Sequence, residues 1–471
     1  MPDRKHSIDF PALILYLTLV ICGWLNIYSS SFTDSIDFSI IGTRYGKQML
    51  MIVINLLILA SILMFFKSYL VPTFSYPIYF LILLLLIAVL FLGKSTGGSR
   101  SWFVLGSFKL QPSELAKLGT ALALAKFIND HPKMLAHPKQ VITALAIIFL
   151  PALLIILQGD AGSALVFSAF FIVLFRKGLP TYWLVLISLF ILVGIAYFYL
   201  EYSLIFLLLF VLMLLVYQLL TKKTKTTFSG AILFFVILLI LFFGLFLPEW
   251  NIPLHLTILA AILIFVLIAG IYLLKNRQMQ LLILPVLLLV YIGSVFAVDY
   301  AFNNVLKPHQ RTRINVLFGK EKDIKDVGYN VHQSKIAIGS GGLSGKGYLK
   351  GTQTKYDFVP EQDTDFIFCT VGEEWGFFGT SFIVLLFTIF LFRLIRLAER
   401  QRSAFSGILG YGLTAVIFFH FAVNVAMTIG LAPVIGIPLP FFSYGGSSLF
   451  SFSLFFFLFL KLDSERNTLL L

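Results

Sequence analysis

The sequence predicts an all-α, multi-pass membrane protein, a helical bundle of about fourteen transmembrane helices with one long extracytoplasmic loop. Three observations predict it. Of 471 residues, 59% are hydrophobic and only 12% charged, whereas about a quarter of a soluble domain is charged, so a water-soluble enzyme is excluded. The apolar residues gather into runs of about 20, the length that carries a helix across hydrocarbon, where backbone polar groups must pair within each span. The basic residues sort to alternate loops, as the positive-inside rule requires.

In chain order the apolar runs fall near 11–30, 48–66, 74–92, 114–129, 140–157, 161–175, 180–199, 203–220, 229–247, 255–274, 280–298, 374–392, 407–430 and 441–460. The opening MPDRKHSIDF leads into a span too long for a signal-peptide core and lacks a small-residue cleavage pattern, so the first helix is expected to be retained. Placing both termini in the cytoplasm puts Lys67, Lys133, Lys139, Arg176, Lys177, Lys222, Lys223, Lys225, Lys275, Arg277, Arg393, Arg396, Arg400 and Arg402 on that side. The short outer loops then hold only Arg44, Lys47, Lys94, Arg100 and Lys109. The excess of 35 Lys+Arg over 22 Asp+Glu, a net charge of +13, is therefore mostly a topology signal that attracts anionic lipid, and no nucleic-acid partner is expected. Cys22 and Cys369 are far apart and lack metal-ligand spacing, so neither a disulfide framework nor a zinc site is expected.

Residues 300–372 break the pattern with ten Lys+Arg and seven Asp+Glu, and a loop of that length outside a compact bundle is usually functional. Two smaller outer features join it, the loop 93–113 and the junction LQGDAGS at 157–163. In QPSELAKL, Pro112 opens a helix and Glu114 and Lys117 share a face three residues apart. They read either as an ion pair fixing one helix against its neighbours or as the lining of a polar cavity. Asp160 reads as a helix N-cap or as lining of the same cavity. Trp102 is an interfacial anchor or packs a lipid chain or sugar. Within the long loop, Lys307, Arg311 and Arg313 are cations suited to a diphosphate, or simply solvated. The stretch VHQSKIAIGSGGLSGKGYLKGTQ is Gly-rich but lacks the context of a P-loop. Glu361, Asp363, Asp365, Glu373 and Glu374 crowd the point where the chain re-enters the membrane, where a carboxylate serves as a general base or as a helix cap. The block NVAMTIGLAPVIGIPLPFFSYGGSSL has too much Pro and Gly to face lipid, so it should be buried in protein or line a cavity, with Asn424 and Ser447 as its polar groups.

Together, QPSELAKL, HQSKIAIGSGGLSGKGYLKGTQ, FVPEQDTDFIF, GEEWGFFG and the Pro/Gly block resemble the SEDS (shape, elongation, division and sporulation) family. The likeness covers residues 1 to about 177 and 280 to 462, and GKGYLKGTQ sides with its elongation branch over its division branch. The resemblance implies a peptidoglycan glycosyltransferase of the bacterial inner membrane. Such an enzyme polymerises lipid II with a class B penicillin-binding protein as partner, within the elongation machinery that sets rod shape. It places the family's essential aspartate on Asp365, its outer-loop tryptophan on Trp102, its QPxELxK pair on Glu114 and Lys117, and a further aspartate on Asp160. Two positions depart: Gly159 stands where the family has proline, and Ser101 where it has arginine. The family's ten spans imply three segments here: N-terminal helices 1–177, an insertion of about four extra helices in 178–279, and a C-terminal part 280–471 holding the 300–372 loop.

The expected chemistry follows. Asp365 takes the proton from an acceptor sugar hydroxyl, and Lys307, Arg311 or Arg313, with a divalent ion such as magnesium or manganese, stabilises the departing prenyl diphosphate. No organic cofactor is expected. Two rival classes stay open: a lipid II flippase in which Glu114, Lys117 and Asp160 form the path, and a non-catalytic scaffold that activates a partner synthase.

Overall fold

Each of the fourteen apolar runs overlaps helix in a computed structural model of the chain, which describes residues 8–31, 42–96, 99–105, 108–134, 137–246, 253–306, 308–320, 327–356 and 358–467. The helices are α1 (Phe10–Ser31), α2 (Arg44–Phe65), α3 (Leu70–Leu92), α4 (Pro112–Asp130), α5 (Pro138–Leu157), α6 (Ala161–Leu165) and α7 (Phe170–Arg176). There follow α8 (Thr181–Tyr199), α9 (Tyr202–Thr221), α10 (Thr224–Phe246), α11 (Leu254–Lys275), α12 (Ile283–Tyr300) and α13 (Pro308–Leu317). The chain ends with α14 (Val327–Ser340), α15 (Thr352–Lys355), α16 (Ile367–Glu399), α17 (Ala404–Thr428) and α18 (Gly446–Ser464).

Among the described residues, eleven helices are long and apolar enough to cross a membrane. The other three runs differ for physical reasons. The 161–175 run is broken into α6, a 3-10 turn and α7, α8 is apolar over a shorter stretch, and α4 carries Glu114, Lys117 and many small residues. The α4 helix is nonetheless the centre of its bundle, packed by α3, α5, α17 and α18. Its small side chains let neighbours approach closely, the device that helices use in lipid. A Cβ at Gly119 would lie 2.6 Å from the Ile82 side chain, and one at Gly412 of α17 would lie 3.2 Å from Ala121.

Helix contacts divide the chain into two units, residues 1–179 with 322–471, and residues 180–321. This groups α12 and α13 with the inserted helices, because α12 packs on α8 and α9. The second unit has its own core, in which Phe210 stacks on Phe234 at 3.9 Å and meets Phe265 edge-on at 5.0 Å.

Several boundaries differ from the sequence expectation. The 93–113 loop holds a three-stranded antiparallel sheet, β1 (Lys94–Thr96), β2 (Ser99–Leu105) and β3 (Phe108–Leu110). The long loop contributes α13, α14 and α15, and α16 begins at Ile367 rather than 374, with a break at Gly376 (φ +64°). The break lets residues 343–345 approach the helix, since a Cβ at Gly376 would lie 2.8 Å from Leu343 carbonyl atoms. The α18 helix starts at 446 rather than 441, because Pro438 and Pro440 supply no N–H and leave residues 431–445 outside regular helix. As expected for such backbone, this segment is buried: Ile437, Leu439, Phe441, Phe442 and Ser443 are all at most 3% exposed.

One end of the first unit is fastened by charge. Asp9 is buried just ahead of α1; it accepts from the Ala12 N–H at 3.0 Å and from Arg393 of α16 through Nε at 3.0 Å, and Arg400 reaches it at 3.0 Å. Arg400 also donates to Asp463 of α18 at 2.9 Å through Nε, and Gln401 to the same carboxylate at 2.7 Å. Burial pushes the Asp9 carboxyl up, but hydrogen bonds from Arg393 and Ala12 and the charges of Arg393 and Arg400 outweigh it and hold its pKa below the ordinary value. A depressed carboxylate stabilises the fold above its unfolded pKa of about 4, and that contribution disappears as pH falls through the folded value. Asp9→Asn should therefore cost about 1–3 kcal/mol at neutral pH. It would be read as a lower melting midpoint in detergent when a thiol dye reports exposure of the buried Cys369. The gap from wild type should close below pH ~4; equal midpoints at neutral pH would contradict this account.

Candidate active site

A non-helical segment at membrane depth needs every peptide group paired by protein, and the pairing of residues 431–445 is what builds this site. The Asn424 carboxamide, on α17, donates to Ile437 O at 2.7 Å and to Asp365 O at 2.8 Å. Ser443 Oγ donates to Thr364 O at 2.6 Å and accepts from the Leu439 N–H at 2.9 Å. The Tyr444 N–H donates to Asp363 O at 2.8 Å. Gln48 of α2 closes the far end, accepting from the Gly445 N–H at 3.3 Å and donating to Ser443 O at 3.4 Å. The turn 360–366 and the Pro/Gly segment are thus one hydrogen-bonded unit.

Five carboxylates crowd that turn and the start of α16, and they are not equivalent. Glu373 is fully buried and receives the N–H groups of Thr352, Gln353 and Thr354 at 2.7–2.9 Å, the Thr354 hydroxyl at 2.9 Å and the Lys346 ammonium at 2.6 Å. It clamps the GKGYLKGTQ stretch onto α16. Glu374 is 2% exposed and accepts from Ser29 of α1. Asp363 is 1% exposed and paired with Arg44 at 2.6 Å, so it is a structural anchor. Glu361 is exposed, has φ +54° and accepts from the Thr364 hydroxyl at 2.9 Å. Asp365 is half-buried. Its carboxylate faces Gly436, where φ is +69° and a Cβ would lie 3.4 Å from Asp365 Oδ2.

The other face of the Pro/Gly segment meets the start of α6. A Cβ at Gly162 would collide with Ile435 O, so only glycine admits that approach. Two residues earlier, Asp160 caps α6, accepting from Ser163 N at 3.0 Å and Oγ at 2.7 Å, and also binds Gln111 Nε2 at 3.0 Å. Residues 435–437 therefore lie between the helix that Asp160 caps and the Asp365 carboxylate. Glu114 and Lys117 are joined at 2.8 Å and are 4% and 1% exposed. Lys117 also lies 2.9 Å from His420 Nε2, and His420 Nδ1 lies 3.1 Å from Pro438 O. Both imidazole nitrogens are satisfied when Lys117 donates to Nε2 and Nδ1–H donates to Pro438 O, while Glu114 Oε2 is buried with no hydrogen-bond partner among the described residues. The pair thus fastens α4 to α17 and supports the segment from below; lining a cavity would require this packing to open.

Trp102 is half-buried on β2, opposite Lys94. The sheet is tied to the same region by Arg100 N donating to Gln158 O at 2.9 Å, and by Gln111 N donating to Ser447 Oγ at 3.1 Å just beyond β3. Lys307 lies outside the described residues, and Arg311 and Arg313 belong to the second unit, where Arg311 Nε donates to Leu306 O at 3.0 Å. A cation that the sequence reading did not single out, Lys335 of α14, does belong to the first unit. Ser334 binds Thr428 O at 2.9 Å, and the exposed Lys335 side chain lies against Gly430, where a Cβ would collide with its Cε and Nζ. His420 was also missed; its signal was an ionisable residue inside a span, one turn before Asn424. Among the described residues no three His, Cys, Asp or Glu side chains gather as a metal site.

The family model described as cell cycle protein, covering FtsW, RodA and SpoVE, matches residues 11–207 and 200–468. The chain is 32% identical over 451 residues to the peptidoglycan glycosyltransferase RodA of Treponema pallidum, covering 94% of each chain. It is 29% identical over 471 residues to the peptidoglycan glycosyltransferase MrdB of Escherichia coli, covering 99% of this chain and 96% of that one. Its fold resembles a solved chain from a peptidoglycan synthase complex that coordinates polymerization and crosslinking (TM-score 0.61, 24% identity, 98% of each chain). It also resembles RodA of Thermus thermophilus (TM-score 0.54, 22% identity, 98% of each chain). With this family match spanning most of its length, the chain belongs to the SEDS family of FtsW, RodA and SpoVE cell cycle proteins.

Proposed function

We propose that this protein is a peptidoglycan glycosyltransferase of the elongation type, which polymerises lipid II into glycan strands with Asp365 as general base. The observation that carries the assignment is the inequality of the five carboxylates. Glu373, Glu374 and Asp363 are buried, whereas Asp365 is half-buried and its carboxylate faces a glycine held at positive φ. A base must reach the proton it removes. With Asp365 O fixed by Asn424, the carboxylate is held ready for an acceptor sugar hydroxyl.

Glycosyl transfer breaks the bond between the donor's anomeric carbon and its diphosphate while the acceptor oxygen, deprotonated by Asp365, forms the new bond. The leaving prenyl diphosphate gathers negative charge that cations stabilise. In the first unit, Lys335 suits that role, being exposed with no carboxylate partner among the described residues; Lys307, Arg311 and Arg313 are further cations for the same role. Magnesium or manganese would come in with the diphosphate, since such ions commonly combine one or two carboxylates with substrate phosphates. Trp102 offers an apolar face to substrate, and Asp160, Glu114 and Lys117 support the floor. The burial of the Glu114–Lys117 ion pair against His420 argues against the flippase path. The charge pattern orients both termini to the cytoplasm and the site to the outer face of the bacterial inner membrane. The likeness to a chain from a synthase complex supports a class B penicillin-binding protein as partner within the elongation machinery.

Purified protein reconstituted with lipid II should make glycan polymer, and Asp365→Ala should abolish it while the thiol-dye melting midpoint stays at the wild-type value. Normal product from that variant overturns the base assignment, and labelled lipid crossing the bilayer without polymer favours the flippase. Asn424→Ala should lower the rate about 10- to 100-fold, the cost of misplacing a reacting group by an ångström. An unchanged rate would mean that the carboxamide does not position Asp365.

A further inference from the structure

The helices of the second unit enclose two apolar cavities of their own. Between α9, α10, α11 and the start of α12 lies an apolar cavity of about 390 Å³, lined by Met213, Tyr217, Gly230, Phe265, Ala269 and Leu284. A second apolar cavity of about 520 Å³ lies between α8, α9 and α12, lined by Leu186, Leu189, Leu209 and Leu287, and it shares Met213 and Leu284 with the first. Both fall within the size range of ligand sites, about 300–1,000 Å³. The ends that surround the first cavity are the C-termini of α9 and α11 and the N-termini of α10 and α12. Those ends carry Lys222, Lys223, Lys225, Lys275 and Arg277, all exposed, while α8 to α12 contain no Asp or Glu before Asp299. The Tyr217 hydroxyl is buried in the same wall with no hydrogen-bond partner among the described residues.

Two adjoining apolar slots beneath an unopposed rim of five cations match one chemistry: two acyl chains joined under a negative headgroup. We infer that the inserted helices bind an anionic diacyl phospholipid, its chains in the two cavities and its phosphate at the Lys222–Lys225 and Lys275–Arg277 rim. The slots explain why the phosphate comes as lipid: a free phosphate would occupy only the rim. The inference is independent of the glycosyltransferase assignment, since every residue it uses lies in the second unit.

The test uses the full chain reconstituted in vesicles of equal parts phosphatidylglycerol and phosphatidylcholine, extracted mildly, with the retained lipid counted by native mass spectrometry. Wild type should retain phosphatidylglycerol over phosphatidylcholine by about tenfold. The variant K222Q/K223Q/K225Q/K275Q/R277Q should fall to parity, and Ala269→Trp, which fills the first slot, should lose phosphatidylglycerol. Both variants should keep the wild-type melting midpoint, and the charge variant decides the matter if Ala269→Trp fails to fold. Parity in wild type, an undiminished preference after removal of the five charges, displacement by free glycerol phosphate, or a second copy of the chain in place of lipid would each overturn the proposal.

Discussion

The Asn424 carboxamide holds together the two irregular segments on which the site depends. Its amide donates at once to Asp365 O and Ile437 O, in a place where bilayer hydrocarbon offers neither carbonyl an alternative partner. Ser443, Tyr444 and Gln48 extend the same solution along the Pro/Gly segment. Each buried side chain here replaces the water that a surface loop would use. Such bonds contribute modestly when made, about 1 kcal/mol each, but leaving a buried partner unpaired costs more. The segment is therefore over-determined in one conformation, and the Asp365 backbone is held within it.

Around that seam, charge is used mainly for fastening. Glu373 gathers backbone and side-chain donors from 346–354, Asp363 takes Arg44, Glu114 takes Lys117, and Asp9 and Asp463 take Arg393 and Arg400. A buried ion pair adds little net stability, yet loss of one member strands the other. These pairs thus fix which helices sit together more than how tightly they are held. Asp365 differs from these: it is half-buried and its Oδ2 faces Gly436 of the segment, which supports the role proposed for it.

Much of this was legible in the sequence because bilayer physics acts locally. Twenty apolar residues must be helical wherever they insert, so the spans could be read from composition, and Asp160 before Ala-Gly-Ser could be read as a cap. The Pro433, Pro438, Pro440 and Gly-rich stretch was legible as buried irregular backbone, since nothing else tolerates so few donors. Other features depend on long-range pairing. The short strands 94–110 lack the length that announces a sheet. The early start of α16 rests on contacts made through the break at Gly376. The grouping of α12 and α13 with the inserted helices follows from how α12 packs on α8 and α9, and no spacing rule encodes it. Lys335 and His420 were visible as residues, but their neighbours at Gly430 and Lys117 lie about a hundred and three hundred positions away.

The central claim is that Asp365 meets the acceptor hydroxyl above the Pro/Gly segment. The most direct measurement is a cryo-EM structure of Asp365→Asn protein with lipid II bound. The account predicts a sugar hydroxyl within hydrogen-bond reach of residue 365, about 2.6–3.2 Å, with a diphosphate close to Lys335. A substrate bound with its sugars away from residue 365, or along the Glu114–Lys117 pair, would contradict it.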